Sequence, residues 1–150
     1  MSESINRFDG EYFFLSNFYS SPVKYNGRTY MNSEAAFQAQ KCINEYEKAK
    51  FENINPSEAK KLGRRVKMRD DWENIKEVVM HQVCREKFKQ NKQIGELLIK
   101  TGDCYIEEGN TWGDREWGTV NGNGKNMLGK ILMKVRYELR NDLLNNQESR

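Results

Sequence analysis

Eight aromatic residues stand within the first thirty positions of the chain: Phe8, Tyr12, Phe13, Phe14, Phe18, Tyr19, Tyr25 and Tyr30. Turn-forming pairs interrupt them, at Asp9-Gly10, Ser21-Pro22 and Asn26-Gly27. No long helix survives breaks this frequent. Asn26-Gly27 lies between two β-prone runs, Val23-Lys24-Tyr25 and Arg28-Thr29-Tyr30. A two-residue hairpin turn needs left-handed backbone at both central residues, and Asn-Gly tolerates this best. The chain therefore opens on a small antiparallel sheet.

Beyond Tyr30 the pattern becomes helical. Asn32 or Ser33 caps a helix expected to reach about Asn44. Asn55-Pro56-Ser57 starts another, with Gly63 as its stop. Asp70 is expected to cap a long helix whose Ile75, Val79 and Val83, with Met80, Cys84 and Phe88, follow helical spacing. A short helix follows over Ile94–Ile99, then a strand at Cys104-Tyr105-Ile106. The last helix starts near Asn126 and buries Leu128, Ile131, Leu132, Val135 and Leu139. After Asn141 the tail is polar and expected to fray. With no repeat or linker, 150 residues make one predominantly helical α+β domain.

The segment Glu107–Gly129 is of another kind. It holds six of eleven glycines, the tryptophans Trp112 and Trp117, and the acidic residues Glu107, Glu108, Asp114 and Glu116. Glycine-rich backbone is costly to order, and indoles facing only water waste apolar area. A ligand pocket accounts for this segment, and so does a long loop folding its tryptophans onto the core.

Charge and ligand chemistry exclude several classes. Lys and Arg number 25 against 22 Asp and Glu, interleaved, so the net charge of +3 does not identify a nucleic-acid binder. Cys42, Cys84 and Cys104 form no CxxC pair, and His81 is the only histidine. No metal site is predicted. No apolar run reaches membrane-span length, and the N-terminus lacks a signal peptide's apolar core. A cytoplasmic location is expected.

Carboxylates are the best catalysts left. Glu34, Gln38 and Lys41 share one helix face, opposite Ala36, Ala39 and Ile43. On spacing alone, a solvated face with one weak salt bridge accounts for them better than a ligand site. Arg64, Arg65 and Arg69 lie at a turn between helices and suit phosphate. Gly122-Asn123-Gly124-Lys125-Asn126 precedes a helix start, a natural anion site, but lacks the spacing of a nucleotide triphosphatase loop. Hydrolysis next to a sugar needs an acid for the leaving group and a base or stabiliser for water. Glu34 and Asp114 can fill these roles.

Motifs along residues 7–140 resemble the NADAR, or YbiA-like, family of N-glycosidases. They are Phe14-Leu15-Ser16-Asn17-Phe18, the helix Ser33–Lys41, Gly63-Arg64-Arg65-Val66, Arg69-Asp70-Asp71-Trp72, Leu97–Asp103, Asp114-Arg115-Glu116-Trp117-Gly118 and Asn126–Met133. Met80 and Lys87-Phe88 fit its long helix. The family often has His after the helix glutamate, where this chain has Ala35. Residues 141–150 lie outside the resemblance as a polar tail.

The resemblance implies hydrolysis of a ribosyl–nitrogen bond without metal or cofactor. The implied substrates are phosphoribosylamino-pyrimidine intermediates of riboflavin biosynthesis or, as an alternative, ADP-ribosylated guanine in DNA. An alternative of another class is a non-catalytic ADP-ribose or NAD-binding module. The partner expected is a small ribosyl phosphate or an ADP-ribose compound, with no membrane and no obligate protein partner. Glu34 and Asp114 are then the catalytic candidates, and Lys41 binds substrate or tunes Glu34. Trp72, Trp112 and Trp117 are candidates to stack on base or ribose. Asn17, Arg64 and Lys125 are the phosphate candidates.

Overall fold

The computed structural model describes residues 3–148. The element order is β1 (Ser4–Ile5), a 3-10 helix (Gly10–Leu15), β2 (Ser20–Tyr25), β3 (Arg28–Asn32), α1 (Ser33–Ala39), α2 (Glu45–Ala49), α3 (Pro56–Gly63), α4 (Trp72–Gln90), α5 (Lys92–Lys100), β4 (Tyr105–Ile106) and α6 (Met127–Glu148). The fold is α+β and predominantly helical, as the sequence implies. Two compact units divide the described residues: 17–91, and 3–16 with 92–148.

In the unit 17–91, β2 and β3 form the predicted hairpin. Asn26 and Gly27 have φ of 51° and 84°, the left-handed turn that selected them. Val23 pairs with Tyr30 and Tyr25 with Arg28, while a register shift falls between Ser20 and Val23. Pro22 lies in that irregularity, where its missing N–H is tolerated. The alternation leaves Ser21, Val23 and Tyr25 buried. Helix α1 packs against β2, β3, α3 and α4, and all seven of its residues are buried.

Several expectations need correction here. Helix α1 ends at Ala39 rather than near Asn44, because Asn44 caps a separate helix, accepting from the Glu47 N–H at 2.9 Å. Ile43 consequently leaves the core and is exposed. Asp71, not Asp70, stands at the start of α4, and its carboxylate binds Arg69 at 2.6 Å instead of capping. Helix α3 follows expectation, with Asn55 accepting from the Glu58 N–H at 2.8 Å and Pro56 in the first turn.

Helix α4 buries Val79, Met80, Val83, Cys84 and Phe88, and also Lys87, which is only 1% exposed. The Lys87 Nζ lies 5.0 Å from the Phe88 ring centre and 5.8 Å from that of Tyr19. Burial pushes its pKa down from 10.5 to about 8. Between these values the unfolded chain holds a proton that the folded chain has released, so this residue makes stability rise with pH. Lys87→Met should abolish that rise. Wild type is expected to gain up to about 3 kcal/mol on the variant between neutral pH and about pH 10.5. Urea denaturation across this range checks it, and a constant difference would mean that the amine keeps its ordinary pKa.

In the other unit, β1 pairs with β4 in parallel, Ser4 opposite Tyr105 and Ile5 opposite Ile106. Helix α6 packs on β4 and α5, burying Leu128, Leu132, Val135 and Leu139. Its Arg136 donates to Thr101 Oγ1 and the Cys104 carbonyl, both at 2.9 Å, and Arg140 donates to the Gly102 carbonyl at 2.8 Å. The Thr101-Gly102-Asp103 motif is thus clamped by α6. The helix continues through Glu148, where a fraying tail was expected. Among the described residues no helix is long and apolar enough to cross a membrane.

Candidate active site

Glu34 is set by its neighbours before its carboxylate is considered. Asn32 Oδ1 caps α1 by accepting from the Ala35 N–H at 2.7 Å. The Asn17 carbonyl accepts from the Glu34 N–H at 3.1 Å, and Ser33 Oγ donates to Asn17 Oδ1 at 2.9 Å. Asn17 Nδ2 is directed to Met80 Sδ at 3.4 Å. The Asn17 side chain is therefore occupied inside the protein. It anchors the start of α1.

Glu34 is only 9% exposed, so the solvated-face account of α1 does not hold. Its Oε1 accepts from Gln38 Nε2 at 2.9 Å. Lys41 is half-buried, its Nζ 3.5 Å from the Gly63 carbonyl. Burial pushes the Lys41 pKa below the ordinary lysine value; the Glu34 charge opposes that shift and the Arg64 charge adds to it. A buried carboxylate, an amide and an amine more ready than usual to release its proton thus share one stretch of chain. Arg64 itself is exposed and caps the end of α3. Trp72 is 4% exposed, with its ring centre 5.1 Å from that of Phe37 at a tilt of 55°. It packs on Phe37 of α1.

The segment 107–129 is a loop held by its own side chains. Asn110 Oδ1 accepts from the Asp114 N–H at 3.0 Å, and Asn110 Nδ2 donates to the Asp114 carbonyl at 2.8 Å. Asp114 Oδ1 accepts from two backbone N–H groups, Glu116 at 3.0 Å and Trp117 at 2.9 Å. Asn126 Oδ1 accepts from the Glu108 N–H at 3.0 Å, and its Nδ2 donates to the Ile106 carbonyl at 2.9 Å. Thr119 Oγ1 donates to the Glu107 carboxylate. Trp112 is 62% exposed and Trp117 half-buried.

The start of α6 is not the anion site its position suggested. The N–H groups of Lys125, Asn126, Met127 and Leu128 donate to the carbonyls of Arg115, Gly118, Glu116 and Trp117. These four donors are consumed by the loop, and only the exposed Lys125 side chain keeps a phosphate role open. Asn110 and Asn126 are structural residues of the site, a role that no motif spacing singles out. Asn126 has φ of 52°, and asparagine in glycine-rich backbone is the available signal for such a residue.

The sequence model of the NADAR domain matches residues 5–140. The N-glycosidase YbiA of Shigella boydii is 40% identical over 129 residues, covering 83% of this chain and 80% of that protein. A riboflavin biosynthesis protein of Vibrio vulnificus is 37% identical over 136 residues, covering 87% of this chain and 36% of that longer protein. The NMR structure of the Escherichia coli protein YbiA superposes with a TM-score of 0.84 at 35% identity, covering 96% of this chain and 89% of that one. The chain and its fold thus fall within a known class of enzymes, the N-glycosidases. The chain belongs to the NADAR family.

Proposed function

We propose that the enzyme hydrolyses the bond between ribose C1′ and a base-like nitrogen in a phosphoribosylamino-pyrimidine of the riboflavin-biosynthesis type. The name of the Vibrio relative supports this substrate class. The observation that carries the reading is Glu34, a buried carboxylate held by Gln38 beside an amine whose pKa is depressed. In the reaction, water adds to C1′ as the bond to nitrogen breaks, and the proton shed by water balances the one gained by the departing nitrogen. Glu34 is the acid/base group for this transfer. Lys41 tunes Glu34 or holds substrate oxygen. Asp114 is the proposed second carboxylate, Trp112 and Trp117 are proposed stacking surfaces, and Arg64 and Lys125 are the proposed phosphate contacts.

The test is mass spectrometry of products from two substrates, a phosphoribosylamino-pyrimidine and DNA carrying ADP-ribosylated guanine. Ribose phosphate and pyrimidine released from the first are expected. Release from the second alone would replace the substrate. Binding of either without bond cleavage would overturn the hydrolytic reading.

A further inference from the structure

We propose that Gly63 and Gln38 act together as the positioning device for the Glu34 carboxylate: the space left by the absent Cβ of Gly63 seats the Gln38 amide, and the amide holds Glu34. The inference rests on the reading of Glu34 as the acid/base group.

Gly63 is the buried last residue of α3, and α3 packs against α1. Its backbone lacks the left-handed conformation that would by itself require glycine. Close approach of the Gln38 side chain favours it instead. A Cβ at Gly63 would lie 2.7 Å from Gln38 Cδ, 3.2 Å from its Cγ, and would collide with Oε1. The Gln38 amide therefore occupies the space where a Cβ at Gly63 would stand. Its two ends differ sharply. Nε2 donates to Glu34 Oε1 at 2.9 Å, whereas Oε1 is buried and has no hydrogen-bond partner among the described residues.

A buried acceptor left without a partner costs about 1–3 kcal/mol. Turning the amide over does not help, because Oε1 would then face a carboxylate oxygen. A methionine or leucine at position 38 would fill similar volume without that cost. What glutamine adds is the N–H toward Glu34. Fixing one carboxylate oxygen fixes the plane of the group, which is what proton transfer to a particular atom demands. The Gly63 carbonyl also lies 3.5 Å from Lys41 Nζ, so this glycine borders Lys41 as well as Gln38.

Three variants, Gln38→Met, Gly63→Ala and the double variant Gly63→Ala/Gln38→Ala, test this against Glu34→Gln and Gln38→Ala. Thermal unfolding is followed beside steady-state kinetics on the phosphoribosylamino-pyrimidine. Gln38→Met should stay folded and lose roughly 10²-fold in kcat with little change in KM. In a ¹³C NMR titration, the carboxyl carbon of Glu34 should show a higher midpoint in Gln38→Met than in wild type, because a donor to the charged form is gone. Gly63→Ala should lose kcat similarly, although alanine is the better helix former. The double variant removes the colliding side chain, so its loss should equal that of Gln38→Ala alone. Wild-type kcat and an unchanged Glu34 midpoint in Gln38→Met and Gly63→Ala would overturn the inference, and so would fully additive losses in the double variant. If Glu34→Gln turns over normally, the reading of Glu34 has failed instead.

Discussion

Glu34→Gln is expected to lower turnover by roughly 10²–10⁴-fold, the range that loss of a general acid or base produces. The replacement suits this site. Glutamine has the shape of glutamate, and its carbonyl oxygen can still accept from Gln38 Nε2, which now lies 2.9 Å from Glu34 Oε1. The helix cap at Asn32 and the backbone bond to Asn17 do not involve the Glu34 side chain, so α1 should keep its place. Only charge and proton capacity are removed. KM should therefore change far less than kcat, the mark of an interaction used in the transition state. Steady-state kinetics with the phosphoribosylamino-pyrimidine checks this, and equal turnover in the two proteins would remove Glu34 from the chemistry.

Trp72→Ala should act through stability. Trp72 is buried at the start of α4 and packs on Phe37 of α1. Large-to-small changes of this kind cost about 3–5 kcal/mol, combining lost transfer energy with the cavity left behind. Since small domains are stable by only about 5–15 kcal/mol, much of the total would go. Chemical denaturation measures the loss, and Trp72→Phe should recover a good part of it. A substrate-stacking tryptophan behaves in the opposite way. If Trp72→Ala melted like wild type but bound substrate far more weakly, the packing role assigned here would be wrong.

The hairpin and α3 were legible because their signals are local. Asn26-Gly27 and Asn55-Pro56 name their backbone conformations within two residues. The break between α1 and α2 was legible too, since Asn44 and Glu47 repeat the spacing of Asn55 and Glu58; the expectation of one continuous helix passed over that signal. The pairing of β1 with β4 was not legible. Two-residue strands carry no period, and about a hundred residues separate them. Ile43 and Glu34 exchanged their expected environments for a related reason. Helical spacing says which residues share a face, but only tertiary packing says how many faces are covered, and α1 is covered on all of them. Trp72 and Asn17 were chosen for chemistry that suits a ligand, and packing uses both for the protein itself. The loop residues Asn110 and Asn126 work only through partners that the fold supplies.

Segment 107–129 has a thermodynamic consequence beyond its shape. Ordering a glycine-rich backbone carries a large conformational-entropy cost. Asn110, Asp114 and Asn126 meet that cost with hydrogen bonds formed as the protein folds. A molecule that reaches Trp112 or Trp117 then encounters a surface already set, and little of its interaction energy is diverted into freezing the chain. Affinity at such a loop is governed by preorganisation. Asp114→Ala should accordingly loosen the unliganded loop, which hydrogen exchange at the Glu116 and Trp117 amides measures.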